Sequence, residues 1–287
     1  MRTESNRSIL HTAMIGIMIA VVVSAAVSIA PAAAQTGPEI LQQMIDRHQE
    51  RLTGIDNILI EQEMMGFGSS LYLVKEMVDG TPTMVPRTMN VAGMNIPTDE
   101  AAFIEAWTGS ARVFGQFAER FTLDGTQVID GQRAYRLAID DFTDIDFGVP
   151  PGQDLPMTPV SGRLYIDPSD FVLLRMEIEM NVMTDGGSEV VEMSSTLEDY
   201  REVDGYLHPF DISVDLGGLL NVGPFGANLE EVRAQLDQLE ARLDQVPPAQ
   251  RDFVERLIQP LRATLDGAPI EIVATRLSVN VDPPRGR

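Results

Sequence analysis

The chain has 287 residues, 44% of them hydrophobic, with 23 Gly, 18 Pro and no Cys. That composition excludes a disordered or low-complexity chain, and the missing cysteine excludes a disulfide framework, a thiolate metal site, a cysteine nucleophile, an iron–sulfur cluster and a lipid carried on cysteine. With 21 Lys+Arg against 43 Asp+Glu the net charge is −22, the sign of nucleic acid itself, and no basic patch offsets it, so no nucleic-acid partner is expected.

Residues 1–11 are polar, with Arg2 and Arg7 against Glu4, and residues 13–30 are apolar and uncharged. Pro31-Ala32-Ala33-Ala34-Gln35 follows. A basic start, an apolar middle and a small-x-small end read as an export signal cut after Ala34, with the periplasm as destination. The rival is an uncleaved anchor, because a run of this length is just able to span a bilayer. Residues 35–287 then read as one domain.

Pro38 to Leu52 reads as an amphipathic helix, with Ile40, Leu41, Met44, Ile45, His48 and Leu52 at helical spacing and Gly54 as its end. Ile58–Met65 and Leu71–Val78 read as strands joined by Gly66-Phe67-Gly68, and Met84–Met94 as a weaker strand. A second helical stretch starts near Thr98 and runs to about Arg120. From Phe121 the period becomes two. Phe121–Leu123 and Gln127–Ile129 flank Asp124-Gly125, and Asp130-Gly131 leads into Tyr135–Asp140. An acidic, proline-rich loop follows to Pro159, and Gly162–Asp167 closes on the turn Asp167-Pro168-Ser169-Asp170.

Val172–Val182 alternates, with Leu174, Met176, Ile178, Met180 and Val182 on one face and Arg175, Glu177, Glu179 and Asn181 on the other. Asp185-Gly186-Gly187 and Asp204-Gly205 turn the chain through Glu189–Tyr200 and Tyr206–Leu216, where Ile212, Val214 and Leu216 share a face. Tight turns between successive strands make them antiparallel. Leu229, Val232, Leu236, Leu239, Leu243 and Val246 then form a helical stripe, with Asn228 and Glu231 as its N-terminal cap. A second helix carries Phe253, Leu257, Ile258, Leu261 and Leu265, with a kink expected at Pro260. The last strand is Ile270–Val281, with Val273, Leu277, Val279 and Val281 on one face. The fold class is therefore α+β: an antiparallel sheet with a helical hairpin, 228–266, inserted before its last strand.

Recognisable catalytic motifs are missing. His48 and His208 stand apart without a carboxylate triplet, a poor zinc site. Gly66-Phe67-Gly68 lacks the third glycine of a dinucleotide fingerprint and sits between strands, where a turn is the better reading. Asp140, Asp141, Asp144 and Asp146 supply hard oxygen ligands but lack the glycine and closing glutamate of a calcium loop, so a solvated acidic loop is the expectation. A carboxylate pair for glycoside hydrolysis would want stacking aromatics, and the chain has one tryptophan, Trp107.

The succession Leu164-Tyr165-Ile166-Asp167-Pro168, Leu173-Leu174-Arg175-Met176 and Leu197-Glu198-Asp199-Tyr200-Arg201-Glu202-Val203-Asp204-Gly205-Tyr206-Leu207-His208-Pro209, preceded by Asp130–Leu137 and the opening helix, resembles the LolA-like outer-membrane lipoprotein-sorting proteins. The resemblance covers about 36–216 and the last strand. It implies an incompletely closed antiparallel barrel around a helical lid, and an apolar cavity that receives acyl chains. The early-strand arginine that latches the family's lid has no counterpart between Arg51 and Arg87, and the hairpin 228–266 is long for the family.

The residues expected to line the cavity are Tyr135, Leu137, Ile139, Leu174, Met176, Ile178, Met180, Ile212, Val214, Leu216, Leu277 and Val279, with Phe253, Leu257 and Leu261 as the lid. The implied function is non-enzymatic: an exported carrier of lipoprotein acyl chains or another lipid, without cofactor or metal, delivering to an inner- or outer-membrane partner. Methionine suits a cavity that changes shape. The alternative is a periplasmic sensor or interaction module that docks through the hairpin 228–266, and a hydrolase ranks behind both.

Overall fold

The computed structural model describes residues 35–78, 80–91, 94–96, 115, 117–142, 157–184, 186–243 and 248–283. The leader expected at 1–34, most of the helical stretch expected from Thr98, and Asp144 and Asp146 of the acidic loop lie outside the described residues.

Apolar side chains three and four residues apart make helix α1, Gly37–Arg51, and bury Ile40, Leu41, Met44 and Ile45 along one stripe. Each such side chain contributes about 1.5–3 kcal/mol on burial. Gly54, at φ +79°, ends the helical run as expected.

Among the described residues, eleven strands form one antiparallel sheet: β1 Asn57–Met64, β2 Phe67–Val78, β3 Thr81–Val91, β4 Met94–Ile96, β5 Thr122–Ile129, β6 Gln132–Ile139, β7 Met157–Ile166, β8 Leu173–Thr184, β9 Gly187–Val203, β10 Tyr206–Asp215 and β11 Ile270–Val279. Their spatial order is β4-β3-β2-β1-β11-β10-β9-β8-β7-β6-β5. The two ends, β4 and β5, do not pair with each other, so the sheet stays open as the sequence led us to expect.

Three hairpins share one turn chemistry. Met65-Gly66, Asp130-Gly131 and Asp204-Gly205 each place both central residues at positive φ, matching the right-handed twist of the flanking strands. The first turn is thus Met65-Gly66, and Phe67 and Gly68, expected in the connection, already belong to β2. Asp124-Gly125 does not divide β5 either; the strand runs through it with a register shift between Leu123 and Thr126. The turn Asp167–Asp170 forms as expected, because the Asp167 side chain accepts from the backbone N–H groups of Ser169 and Asp170, both at 2.7 Å.

The hairpin leaves the sheet after β10 through a short 3-10 turn, Leu219–Asn221, and continues as α2, Gly223–Ala241, and α3, Pro248–Leu265. Helix α2 starts earlier than the sequence pattern indicated: proline occupies its first turn, and Asn228 lies within the helix rather than at its cap. Pro260 lies inside α3. Side-chain bonds tie the two helices together. Arg262 donates to Asp237 at 2.7 Å and to Glu240 at 2.8 Å, and Arg233 donates to the Leu265 carbonyl at 2.8 Å. Strands β10 and β11 pair beside each other, so the hairpin is an insertion between sheet neighbours. No described helix is long and apolar enough to cross a membrane.

Candidate functional site

The face of the sheet on which α1 packs follows from the register. Ile166, Leu164, Met176, Leu197, Ile212, Ile272, Met64 and Ser69 succeed one another from β7 across to β2, each pair of neighbouring strands facing at these positions or one pleat repeat away. This inner face is mostly apolar, with Gln62, Ser69, Ser195 and His208 as buried polar members, while the other face carries Arg163, Arg175, Glu177 and Glu179.

Three zones divide it. In the first, Leu137, Ile139, Leu164, Ile166, Leu173, Met176 and Leu197 pack with Ile40, Leu41, Met44 and Ile45 of α1, and Tyr135 and Ile178 lie against the same cluster. The expected cavity residues Tyr135, Leu137, Ile139, Met176 and Ile178 therefore meet a helix there. The second zone gathers Leu277, with Val279 against it, and Ile58, Ile60, Tyr206 and Phe210 around Leu52 and Ile55, just beyond α1. In the third zone Ile212, Val214 and Ile272 form a cluster with Met64, Leu216 and Ile270, and every one of these residues belongs to a strand or directly follows one. Beside it Val182, Val191 and Met193 pack with Leu219, and Met180 and Leu216 lie against them.

One expected lining residue lies on the wrong side. Strict alternation put Leu174 with Met176, yet Leu174 packs with Ile129, Ala134 and Tyr165 on the outer face. The cause is an extra residue in β8. Tyr165 faces Arg175 but Ile166 faces Leu173, so Leu174 bulges out and Leu173 takes the inner position. A second bulge corrects β11. Glu61 faces Arg276 but Gln62 faces Ala274, so Ala274 and Ile272 join Leu277 and Val279 inside, and Val273 is 43% exposed. The strand also stops at Val279, because Asn280 turns to φ +54° and its side chain bonds the Asp56 N–H at 2.7 Å and the Gly54 carbonyl at 2.9 Å.

Of the expected lid, Leu261 is partly buried on α3, and the side chains of Phe253 and Leu257 lie outside the described residues. Helix α2 meets the sheet at β8, and α3 packs on α2.

Sequence reasoning missed the inner members Leu173, Met193, Ser195, Leu197, Ile270 and Ile272. The alternation of Val191, Met193, Ser195 and Leu197 was a usable signal for β9. A serine among three apolar residues hides it.

Polar groups on the inner side are few. His208 is buried between Tyr206, stacked at 6.0 Å, and Phe210, edge-on at 6.2 Å, and burial lowers its pKa to about 4. His48 on α1 is lowered to about 4 by burial and by Arg51. Both imidazoles are therefore neutral at pH 7. Ser195 is fully buried, and its hydroxyl has no hydrogen-bond partner among the described residues.

The outer face is organised by charge. Glu177 accepts from Tyr165 at 2.9 Å and pairs with Arg175 at 3.0 Å and Arg163 at 3.8 Å. Burial and Glu177 push the Tyr165 phenol up to about 12. An outer cleft of about 560 Å³ runs beside the Leu174 bulge, and a smaller acidic one of about 290 Å³ adjoins it at Asp130, Glu198, Asp211 and Glu271. Burial, and then its carboxylate neighbours, raise the Glu198 pKa. No group of three or more His, Cys, Asp or Glu among the described residues is placed to hold a metal ion.

No protein-family profile matches the sequence, and no curated protein matches it either. Solved structures do. One is an outer membrane lipoprotein-sorting protein domain from Vibrio parahaemolyticus, at 12% identity over 87% of this chain and 94% of that one, with a TM-score of 0.40. Another is a DUF1329 family protein from Desulfovibrio piger, at 11% identity over 86% and 93%, with a TM-score of 0.40. A third is the LolA superfamily protein NE2245 from Nitrosomonas europaea, at 12% identity over 87% and 96%, with a TM-score of 0.32.

Proposed function

We propose that the chain is an exported binding protein, of the outer-membrane lipoprotein-sorting type, that holds acyl chains on the inner face of its open sheet and hands them to a membrane-associated partner. The observation that supports this reading is the third zone of that face. Met64, Ile212, Val214, Leu216, Ile270 and Ile272 form a buried apolar cluster whose described members all belong to the sheet or directly follow one of its strands, whereas α1 packs into the first zone. Met176, Met180 and Met193 border it, and unbranched thioether side chains repack around ligands of different shape at low cost. An acyl chain gains about 0.8 kcal/mol for each CH₂ it buries, so burial alone supplies the affinity, and no catalytic group is called for. The hairpin 228–266 serves as a cover for this surface in the carrier reading and as a docking arm in the sensor reading.

The bulge in β11 provides the test. Ile272 and Val273 are adjacent, but one faces inward at 8% exposure and the other outward at 43%. In the full chain, Ile272→Asn is expected to weaken binding of a fluorescent fatty-acid probe about tenfold, ~1.4 kcal/mol, and Val273→Asn to leave it within about twofold. Circular dichroism of both variants verifies that the sheet is intact. Equal binding by the two variants would remove the inner face from the reading and favour the docking module.

A further inference from the structure

Ser195 stands at the centre of β9, on the inner face, with Met176 directly opposite on β8 and Val214 directly opposite on β10. Met193 and Leu197, two residues to either side on the same strand, are buried on that face, and the diagonal neighbours Ile178, Ile212 and Leu216 are apolar. The serine is 0% exposed and its Oγ has no hydrogen-bond partner among the described residues. Buried hydroxyls are nearly always paired, because an unpaired one loses its water without compensation. Alanine would fit the strand and avoid that loss, so packing gives no reason for a hydroxyl at this position.

Resting on the carrier reading, we infer that Ser195 Oγ is the polar anchor of the acyl site and donates its proton to the carbonyl oxygen of a neutral acyl ester or amide. A hydrocarbon offers the hydroxyl no partner. A free carboxylate offers one, but it would be buried among Met176, Val214, Ile178 and Ile212 without a counter-charge, in a chain of net charge −22. An ester or amide carbonyl accepts the same hydrogen bond and brings no charge. The site then reads the linkage at the head of the acyl chain, and the methionines around it accommodate differences in the chain itself.

The test uses the full chain, with N-phenyl-1-naphthylamine as a neutral fluorescent reporter displaced by methyl laurate, lauric acid or dodecane at pH 7.5. The wild type is expected to bind methyl laurate at least about fivefold more tightly than either of the others. Ser195→Ala is expected to lose that preference, with dodecane affinity unchanged and a melting temperature equal to or above the wild type. Ser195→Thr, which retains the hydroxyl, is expected to retain the preference. Wild type and Ser195→Ala binding methyl laurate equally would overturn the anchor while the carrier reading stands, and a wild-type preference for lauric acid would overturn the neutral carbonyl. Should Ser195→Ala not fold, a wild type that does not separate methyl laurate from dodecane overturns the anchor by itself. A wild type that displaces the reporter with none of the three contradicts the carrier reading, and the anchor with it.

Discussion

The Tyr200 hydroxyl donates to the Leu173 carbonyl at 2.5 Å, beside the point where β8 carries its extra residue. Leu173 consequently faces α1 and Leu174 faces the opposite side of the sheet. Tyr200 lies against both clusters, so one ring supports the two leucines that the bulge separates. Burial raises the phenol's pKa, and it remains a donor throughout the neutral range.

Removing this bond is the first check. Tyr200→Phe keeps the ring and deletes the donor, at an expected cost of about 1 kcal/mol. The denaturant midpoint should fall with an unchanged slope. An unchanged midpoint would show that the bulge holds without Tyr200.

Acid stability follows from the two histidines. Both have folded-state pKa values near 4 against 6.5 in the unfolded chain. Between those values the unfolded state binds more protons, so stability is complete above about pH 6.5 and declines as the pH falls towards 4. The loss is about 2 kcal/mol per histidine by pH 5. His208→Leu should remove His208's share, making the midpoint less sensitive to a change from pH 7.5 to pH 5 than in the wild type, with carboxylate titration common to both. Parallel curves for the two proteins would refute the assignment.

Much of this architecture was legible beforehand. The paired turn residues Asp130-Gly131 and Asp204-Gly205 fixed two hairpins, and alternation identified the inner sets on β6 and β10. The errors share a physical source. Periodicity assumes one residue per pleat, and the bulges at Leu174 and in β11 each add a residue, which shifts the pattern and misplaced Leu174 and Val273. Likewise α2 begins at Gly223 with a proline in its first turn and no side-chain cap, so the search for a capping residue found Asn228 instead. The cover that α1 provides over Leu137, Ile139 and Met176 is a tertiary contact across more than eighty residues of sequence, and no local pattern reports it.

The link from β10 to the hairpin depends on Gly217. At φ +53° an added Cβ would lie 1.9 Å from the Glu192 carbonyl oxygen. The Gly217 N–H also donates to the Asp215 side chain at 2.7 Å. Gly217→Ala is therefore expected to cost about 2–3 kcal/mol or to push the link away from β9. Hydrogen exchange should accelerate in 216–222 before it does so in β10. A variant with wild-type exchange and melting temperature would show that the link relaxes freely.

Arg262 joins α3 to α2 through Asp237 and Glu240. These bonds lie on the surface, so Arg262→Ala should leave the melting temperature of the sheet nearly unchanged. Exchange within 223–265 should rise while β1–β11 keep their protection. Loss of protection in β8, where α2 meets the sheet, would show that hairpin and sheet unfold together.

Native mass spectrometry of the full chain, purified without detergent from the cells that make it, is the most direct measurement of ligand binding at the inner face. A carrier is expected to retain a population heavier by the mass of an acyl ester or amide, which collisional activation releases as a neutral species. Ile272→Asn should be recovered with a smaller loaded fraction than the wild type, and Val273→Asn with about the same fraction. A wild-type chain that flies at its polypeptide mass alone, and whose organic extract contains no acyl species above that of an unrelated protein purified in parallel, would contradict acyl binding on this face.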